Sequence, residues 1–294
     1  MPELPDVEVY REALADRLVG ATLRGIELRT PFLLRTVEPS LDSFHGRKVE
    51  GVERLAKRLV LAFEGERFLV LHLMISGRLL WLPEVKSGKP PARITLAVFA
   101  FDRGSLALTE AGTKRRASLH AVEGRVALAG HDPGGLEPLT ASLHAFATRL
   151  RAENHTIKRA LTDPYLLSGI GNAYSDEILH RAKLSPLALT RKLADAQIAQ
   201  LYTATQDVLT EWTDRLRNQA AGAFPVKVTA FRPQMAVHGR FKAPCPVCGA
   251  PVQRIVYAEN EANYCAKCQT NGVVLADRAL SRVLHKGFKR TLDE

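Results

Sequence analysis

The sequence predicts an α+β multidomain protein, and three observations carry that prediction. Residues up to about 126 read mainly as short strands. Residues from about 142 to 219 read with a helical period. All four cysteines of the 294-residue chain fall between residues 245 and 268. A run of strands followed by a run of helices points to an antiparallel sandwich or barrel with a separate helical part. The clustered cysteines mark a third, small unit.

The chain opens with a helix over residues 5–19. Pro5 suits a first turn, Val7, Tyr10, Leu14 and Leu18 share one face, and Gly20 stops it. Strands follow in ATLRGIEL, KVEGVERL, RLVLAFE, FLVLHLMI, RLLWLP, RITLAVFAF and SLALTE, separated by Gly, Pro and charged turns. AGHDPGGLEPLT reads as a linker. Helices follow in LHAFATRLRAE, HTIKRALTD, AYSDEILHRAK and LADAQIAQLYTATQDVLTEWTDRLRNQ. The expected organisation is a domain over 1–128, a linker over 129–141, a helical domain over 142–237, a finger over 238–272 and a basic helix or tail over 273–294. In that tail Arg278, Arg282, Lys286 and Arg290 recur every four residues, which would give a helix a basic stripe or simply a solvated face.

Charge bounds the partner. Lys plus Arg number 41 against 31 Asp plus Glu, a net charge of +10. That balance favours a polyanion: DNA, RNA or an anionic membrane surface. No apolar run is long enough to span a bilayer, and the start MPELPDVE is unlike a signal peptide. The expected location is the cytoplasm, associated with a bacterial nucleoid.

The cysteines read C-x2-C-x16-C-x2-C: Cys245, Cys248, Cys265 and Cys268. Each C-x2-C turn brings two thiolates onto one ion, and two turns complete a tetrahedron, so one structural Zn2+ is expected. Two pairs at this spacing are better explained by one metal than by buried free thiols or a redox pair. Gly249 lets the chain curl past the metal. PVQRIVYAENEANY between the pairs reads as a hairpin. Such ribbons occur in transcription factors, ribosomal proteins and repair enzymes alike.

Five segments, in one order, resemble the formamidopyrimidine-DNA glycosylase / endonuclease VIII family: PELPDVE, RLAKRL, HLMISGRL, GIGNAYSDEIL and VHGRFKAPCPVCG…YCAKCQ. The resemblance runs from end to end. It implies a two-sheet β-sandwich with flanking helices, a helix-two-turns-helix module and a zinc finger. It also implies a bifunctional glycosylase and abasic-site lyase acting on damaged bases in double-stranded DNA as a monomer. A non-catalytic binder of damaged or distorted DNA on the same scaffold is the alternative.

The resemblance carries roles to particular residues. Removal of Met1 would free the Pro2 amine, a nucleophile for C1′ of a deoxyribose, and the helix start beside it would favour the free base. Glu3 supports ring opening and proton transfers. Lys57 lies in the active cleft, where the pattern alone reads a strand-edge lysine. Met74 or Ile75, with Arg115 or Arg116, would fill the stack vacated by the extruded base, although Ala117 stands where an aromatic wedge is usual. Lys158 and Asn172 contact the DNA backbone; by itself GIGNAY is a glycine-rich interhelical turn with a capping Asn. Asn260 occupies the position where the family's hairpin presents an arginine to phosphate, with Arg254 a candidate substitute and Glu259 and Glu261 beside it.

Overall fold

The computed structural model describes residues 1–83, 90–112, 114–226, 228–229, 232–257, 260–275 and 290–291. It divides into two compact units. The first comprises Met1–Pro133 and Trp212–Thr229; the second comprises Gly134–Glu211 and Ala230–Glu294.

Helix α1 (Leu4–Leu18) opens the first unit. Eight strands follow: β1 (Leu23–Leu28), β2 (Val49–Leu55), β3 (Arg58–Phe63), β4 (Arg67–His72), β5 (Gly77–Pro83), β6 (Thr95–Phe101), β7 (Gly104–Glu110) and β8 (Ser118–Glu123). They form two four-stranded antiparallel sheets, ordered β1-β6-β7-β5 and β2-β3-β4-β8. The strand β8 is not among the segments that pattern picks out: SLHAVE carries a histidine and a glutamate in a short run. Strands β3 and β4 are nearly continuous apolar runs because both faces are covered. Leu59, Leu61, Phe63, Leu69 and Leu71 join the main core with residues of the other sheet. Val60, Ala62, Phe68 and Val70 point the other way, against Val122 and Leu128, the latter on the short helix α2 (Arg125–Ala129).

The second unit holds α3 (Leu143–Arg151), α4 (Ile157–Thr162), α5 (Asn172–Arg181) and the first part of α6 (Asp195–Ala220). Ser142 and Thr156 cap α3 and α4 through their hydroxyls. The finger follows, with the hairpin of β9 (Val252–Tyr257) and β10 (Asn260–Cys265), then the single-turn α7 (Ala266–Gln269). Val273–Val274 pairs with Arg290–Thr291 in a short antiparallel ladder. Of the basic stripe only Arg290 falls among the described residues, in a strand; Arg278, Arg282 and Lys286, and the helix expected there, lie outside them. No helix among the described residues is long and apolar enough to cross a membrane.

Candidate active site and DNA-binding module

The start of α1 is buried, and that fixes the chain terminus. Pro2 is buried and Glu3 is 2% exposed. The Glu3 backbone N–H donates to Asp6 Oδ2 at 3.0 Å, one half of a capping box. A chain terminus is ordinarily hydrated. Here burial lowers the pKa of the Met1 amine, one residue before Pro2, below its ordinary value of 8.0; Glu3 and Asp6 oppose that shift, while Arg78 and Lys57 add to it. Burial likewise lowers the Lys57 ammonium, with Glu3 opposing. Thus Glu3, Lys57, Arg78 and the terminal amine share one electrostatic neighbourhood.

Lys57 sits in a tight turn and not on a strand edge. The register of β2 with β3 ends on Leu55 opposite Arg58, so Ala56 and Lys57 are the two-residue connection. Ala56 takes φ +51°, a conformation that Asn or Gly usually marks, so the sequence carries no turn signal there.

His72 belongs to the same neighbourhood and was missed by sequence reasoning. It ends β4 directly across from Arg58. Its Nδ1 accepts the Met74 N–H at 3.0 Å, which leaves the proton of the neutral ring on Nε2. Burial, then Arg58, Lys57 and His120, lower its pKa from 6.5 to about 4. The signal available was its place in HLMISG, where the methionine is the more conspicuous residue.

The two turns expected to fill the DNA stack are joined by a buried carboxylate. Glu110, 1% exposed, accepts the Arg116 and Ala117 N–H groups through Oε2, both at 3.0 Å. Its Oε1 accepts the Ser76 hydroxyl at 3.1 Å. One side chain therefore ties the turn at 74–76 to the turn at 114–117. Gly77 closes the first turn; a Cβ there would lie 2.3 Å from the Leu73 carbonyl oxygen. Met74 is half-buried at φ +50°, while Ile75 is 56% exposed at the tip. Arg115 and Arg116 are exposed, and Arg115 donates to the Arg93 carbonyl at 2.8 Å. Ala117 is buried.

In the second unit α5 begins at Asn172, with Gly171 as its cap. Asn172 Nδ2 donates to the Glu261 carbonyl of β10 at 2.8 Å. Lys158 differs from the expectation of a direct phosphate contact. Its ammonium donates to Asn172 O at 2.7 Å, Ser175 Oγ at 2.8 Å and Asp176 Oδ1 at 2.5 Å. Three donors thus meet three protein acceptors. Asp176 Oδ2 lies 2.8 Å from His238 Nδ1. Glu177 gathers the N–H groups of Ala236, Val237 and His238 at 2.7 to 3.0 Å. Burial raises the Glu177 pKa, and those N–H groups oppose the shift.

The hairpin carries Asn260 opposite Tyr257 at the start of β10. Arg254 is turned toward Glu261 Oε2 at 3.4 Å and stacks on Phe241 with its guanidinium carbon 4.3 Å from the ring centre. Glu259 lies outside the described residues.

The four sulphurs lie within 4.8 Å of one another, with Cys248–Cys265 at 3.4 Å and Cys245–Cys268 at 3.9 Å. Disulfide bonding needs about 2 Å. A tetrahedron with Zn–S of about 2.3 Å has edges of about 3.8 Å, which these separations bracket. Gly249 takes φ +74° just after the first pair. The four cysteines hold one structural zinc ion.

Comparison with known proteins agrees with this geometry. The formamidopyrimidine-DNA glycosylase N-terminal domain matches residues 1–118, the H2TH domain of the same enzyme matches 134–217, and a zinc finger found in FPG and IleRS matches 243–271. The formamidopyrimidine-DNA glycosylase of Heliobacterium modesticaldum is 34% identical over 279 residues, covering 92% of this chain and 100% of that protein. A formamidopyrimidine-DNA glycosylase-like protein of Mycobacterium tuberculosis is 41% identical over 150 residues, covering 51% of this chain and 93% of its own. The crystal structure of Lactococcus lactis Fpg with DNA containing an oxidised pyrimidine superposes with a TM-score of 0.79 at 25% identity, covering 92% and 100% of the two chains.

Proposed function

The chain belongs to the formamidopyrimidine-DNA glycosylase family and is a DNA glycosylase for damaged bases, and from that premise we propose that it is also an abasic-site lyase working through Pro2. The observation that carries the reading is the buried terminus beside Glu3 and Lys57. An amine deprived of water there is more often the free base at neutral pH, which is the form that attacks carbon.

With Met1 removed, the Pro2 nitrogen adds to C1′ of the damaged nucleotide. The glycosidic bond breaks, its electrons leave with the base, and a proton from the site completes the departing base. The nitrogen loses its proton, the C1′–O4′ bond opens as O4′ takes up a proton, and Pro2 and C1′ are then joined as an iminium ion. Loss of a C2′ proton and expulsion of the 3′ phosphate cut the strand, and water releases Pro2. Glu3 holds and moves protons during ring opening. Lys57 and the His72 Nε2–H are donors for phosphate or leaving oxygen. The turn bearing Met74 and Ile75 and the turn bearing Arg115 and Arg116 enter the gap left by the extruded base. Asn172, at the start of α5, meets a backbone phosphate. Lys158 supports that helix start from inside. Asn260 is assigned to DNA by its position in the hairpin sequence. The partner is double-stranded DNA with damaged bases or abasic sites, bound by a monomer.

Borohydride reduction tests the mechanism. The protein with a free Pro2 should cross-link covalently to abasic-site duplex, and Pro2→Gly should cut the yield at least about ten-fold. Lys57→Arg should still cross-link, which separates Pro2 from the half-buried Lys57 amine. Tight binding without any trapped complex would favour a non-catalytic binder, the reading to which Ala117 and Asn260 lend weight.

A further inference from the structure

Helix α5 spends one face on the finger and the strap that leads into it. Asn172, Asp176 and His180 recur at every fourth residue, so they line one side of the helix. Asn172 reaches the Glu261 carbonyl, Asp176 reaches His238, and His180 Nε2 lies 3.3 Å from Cys245 Sγ. His180 is 6% exposed and Cys245 2% exposed. A second link runs in parallel. Gln269 accepts the Cys265 N–H at 2.8 Å and donates to the Leu184 carbonyl, just beyond α5, at 2.9 Å. Two zinc ligands are therefore tied to the C-terminal end of the helix whose N-terminal end carries Asn172.

We propose that His180 is a positioning residue of the zinc site: its Nε2–H donates to the Cys245 thiolate and so fastens the metal-bearing finger to α5. Four thiolates around a dication carry an excess of negative charge, and an N–H donor in a dry setting offsets part of it. The cysteine pattern alone does not contain this group, because His180 lies 65 residues from Cys245. An imidazole here both fills the buried volume and points a proton at sulphur. A phenylalanine would fill the same space without the proton.

Three variants separate those two roles: H180F removes the donor and keeps the ring, H180Q keeps a donor of similar reach, and H180N keeps an amide too short to arrive. Zinc release to a metallochromic chelator should be roughly ten-fold faster in H180F and H180N and within about three-fold of the parent in H180Q. In Co2+-substituted protein the thiolate-to-cobalt absorption should move to longer wavelength in H180F and H180N and stay in place in H180Q. A hydrogen bond lowers the energy of the thiolate electrons, so its loss makes the transition easier, whereas a change in packing alone does not act on it in this donor-dependent order. Parental release rates and spectra in H180F would overturn the assignment. So would equally fast release from all three variants with no spectral shift. If H180F folds poorly, H180N makes the same distinction without the added bulk. Neither measurement uses DNA, so its failure leaves the Pro2 lyase reading standing, and failure to trap Pro2 leaves this proposal standing.

Discussion

At the scale of single residues, electrostatics are set by burial more than by sequence neighbours. His72 is neutral in the folded protein down to about pH 4 and titrates near 6.5 when unfolded. Above pH 6.5 both states are neutral and the residue adds no pH dependence. Between 6.5 and 4 the unfolded chain binds the extra proton, so stability falls as pH falls. The full shift corresponds to about 3 kcal/mol, and partial solvent access reduces it to roughly 2. In denaturant melts, the stability of the parent relative to His72→Gln should therefore be constant above pH 6.5 and fall by about 2 kcal/mol between pH 6.5 and 4. Parallel curves would refute the assigned cause. Lys158 likewise depends on a partner distant in the chain: the acid that draws it inward, Asp176, lies 18 residues away.

At the scale of elements, most of the secondary structure was legible. The first helix, the strands β1 to β7, α3 to α6 and the finger hairpin announce themselves by period, capping residues and punctuation. The element β8 was missed because a histidine and a glutamate interrupt its short apolar run. The Lys57 turn was missed because Ala56 takes a left-handed conformation without a residue that favours it. Glu110 was invisible for a different reason. It looks like the acidic end of a strand, yet it organises two turns from beneath. Glu110→Gln exchanges an acceptor for an N–H facing donors. It should cost about 1–3 kcal/mol, seen as a lower melting temperature, and should reduce excision of a damaged base beyond what the lost folded fraction explains. Unchanged melting would show that the two turns hold themselves.

At the scale of the whole molecule, the first unit is not a continuous stretch of chain. Residues 212–229 return to it late. Arg217 forms paired hydrogen bonds with Glu12 at 2.8 and 2.9 Å, Arg17 donates to the Gly222 carbonyl at 3.0 Å, Phe224 packs on Tyr10 with ring centres 5.6 Å apart, and Val228 joins the main core. A fragment ending at residue 133 should therefore lack a sharp thermal transition, and adding 212–229 through a flexible linker should restore one, as read by circular dichroism. Cooperative melting of the short fragment would show that the late segment is dispensable.

The zinc motif, the alternating strands, the helical run and the terminal PELPDVE are all local patterns, and the sequence by itself determined them. Metal ligation needs two close pairs, and periodicity needs only neighbours along the chain. The tertiary structure alone decided which charges are buried and what they hold: Glu3 and Lys57 around the terminus, Glu110 beneath two turns, Asp176 on Lys158, His180 on Cys245. The physical reason is that a buried polar group must find its partners in space, and those partners stand tens of residues away in the chain.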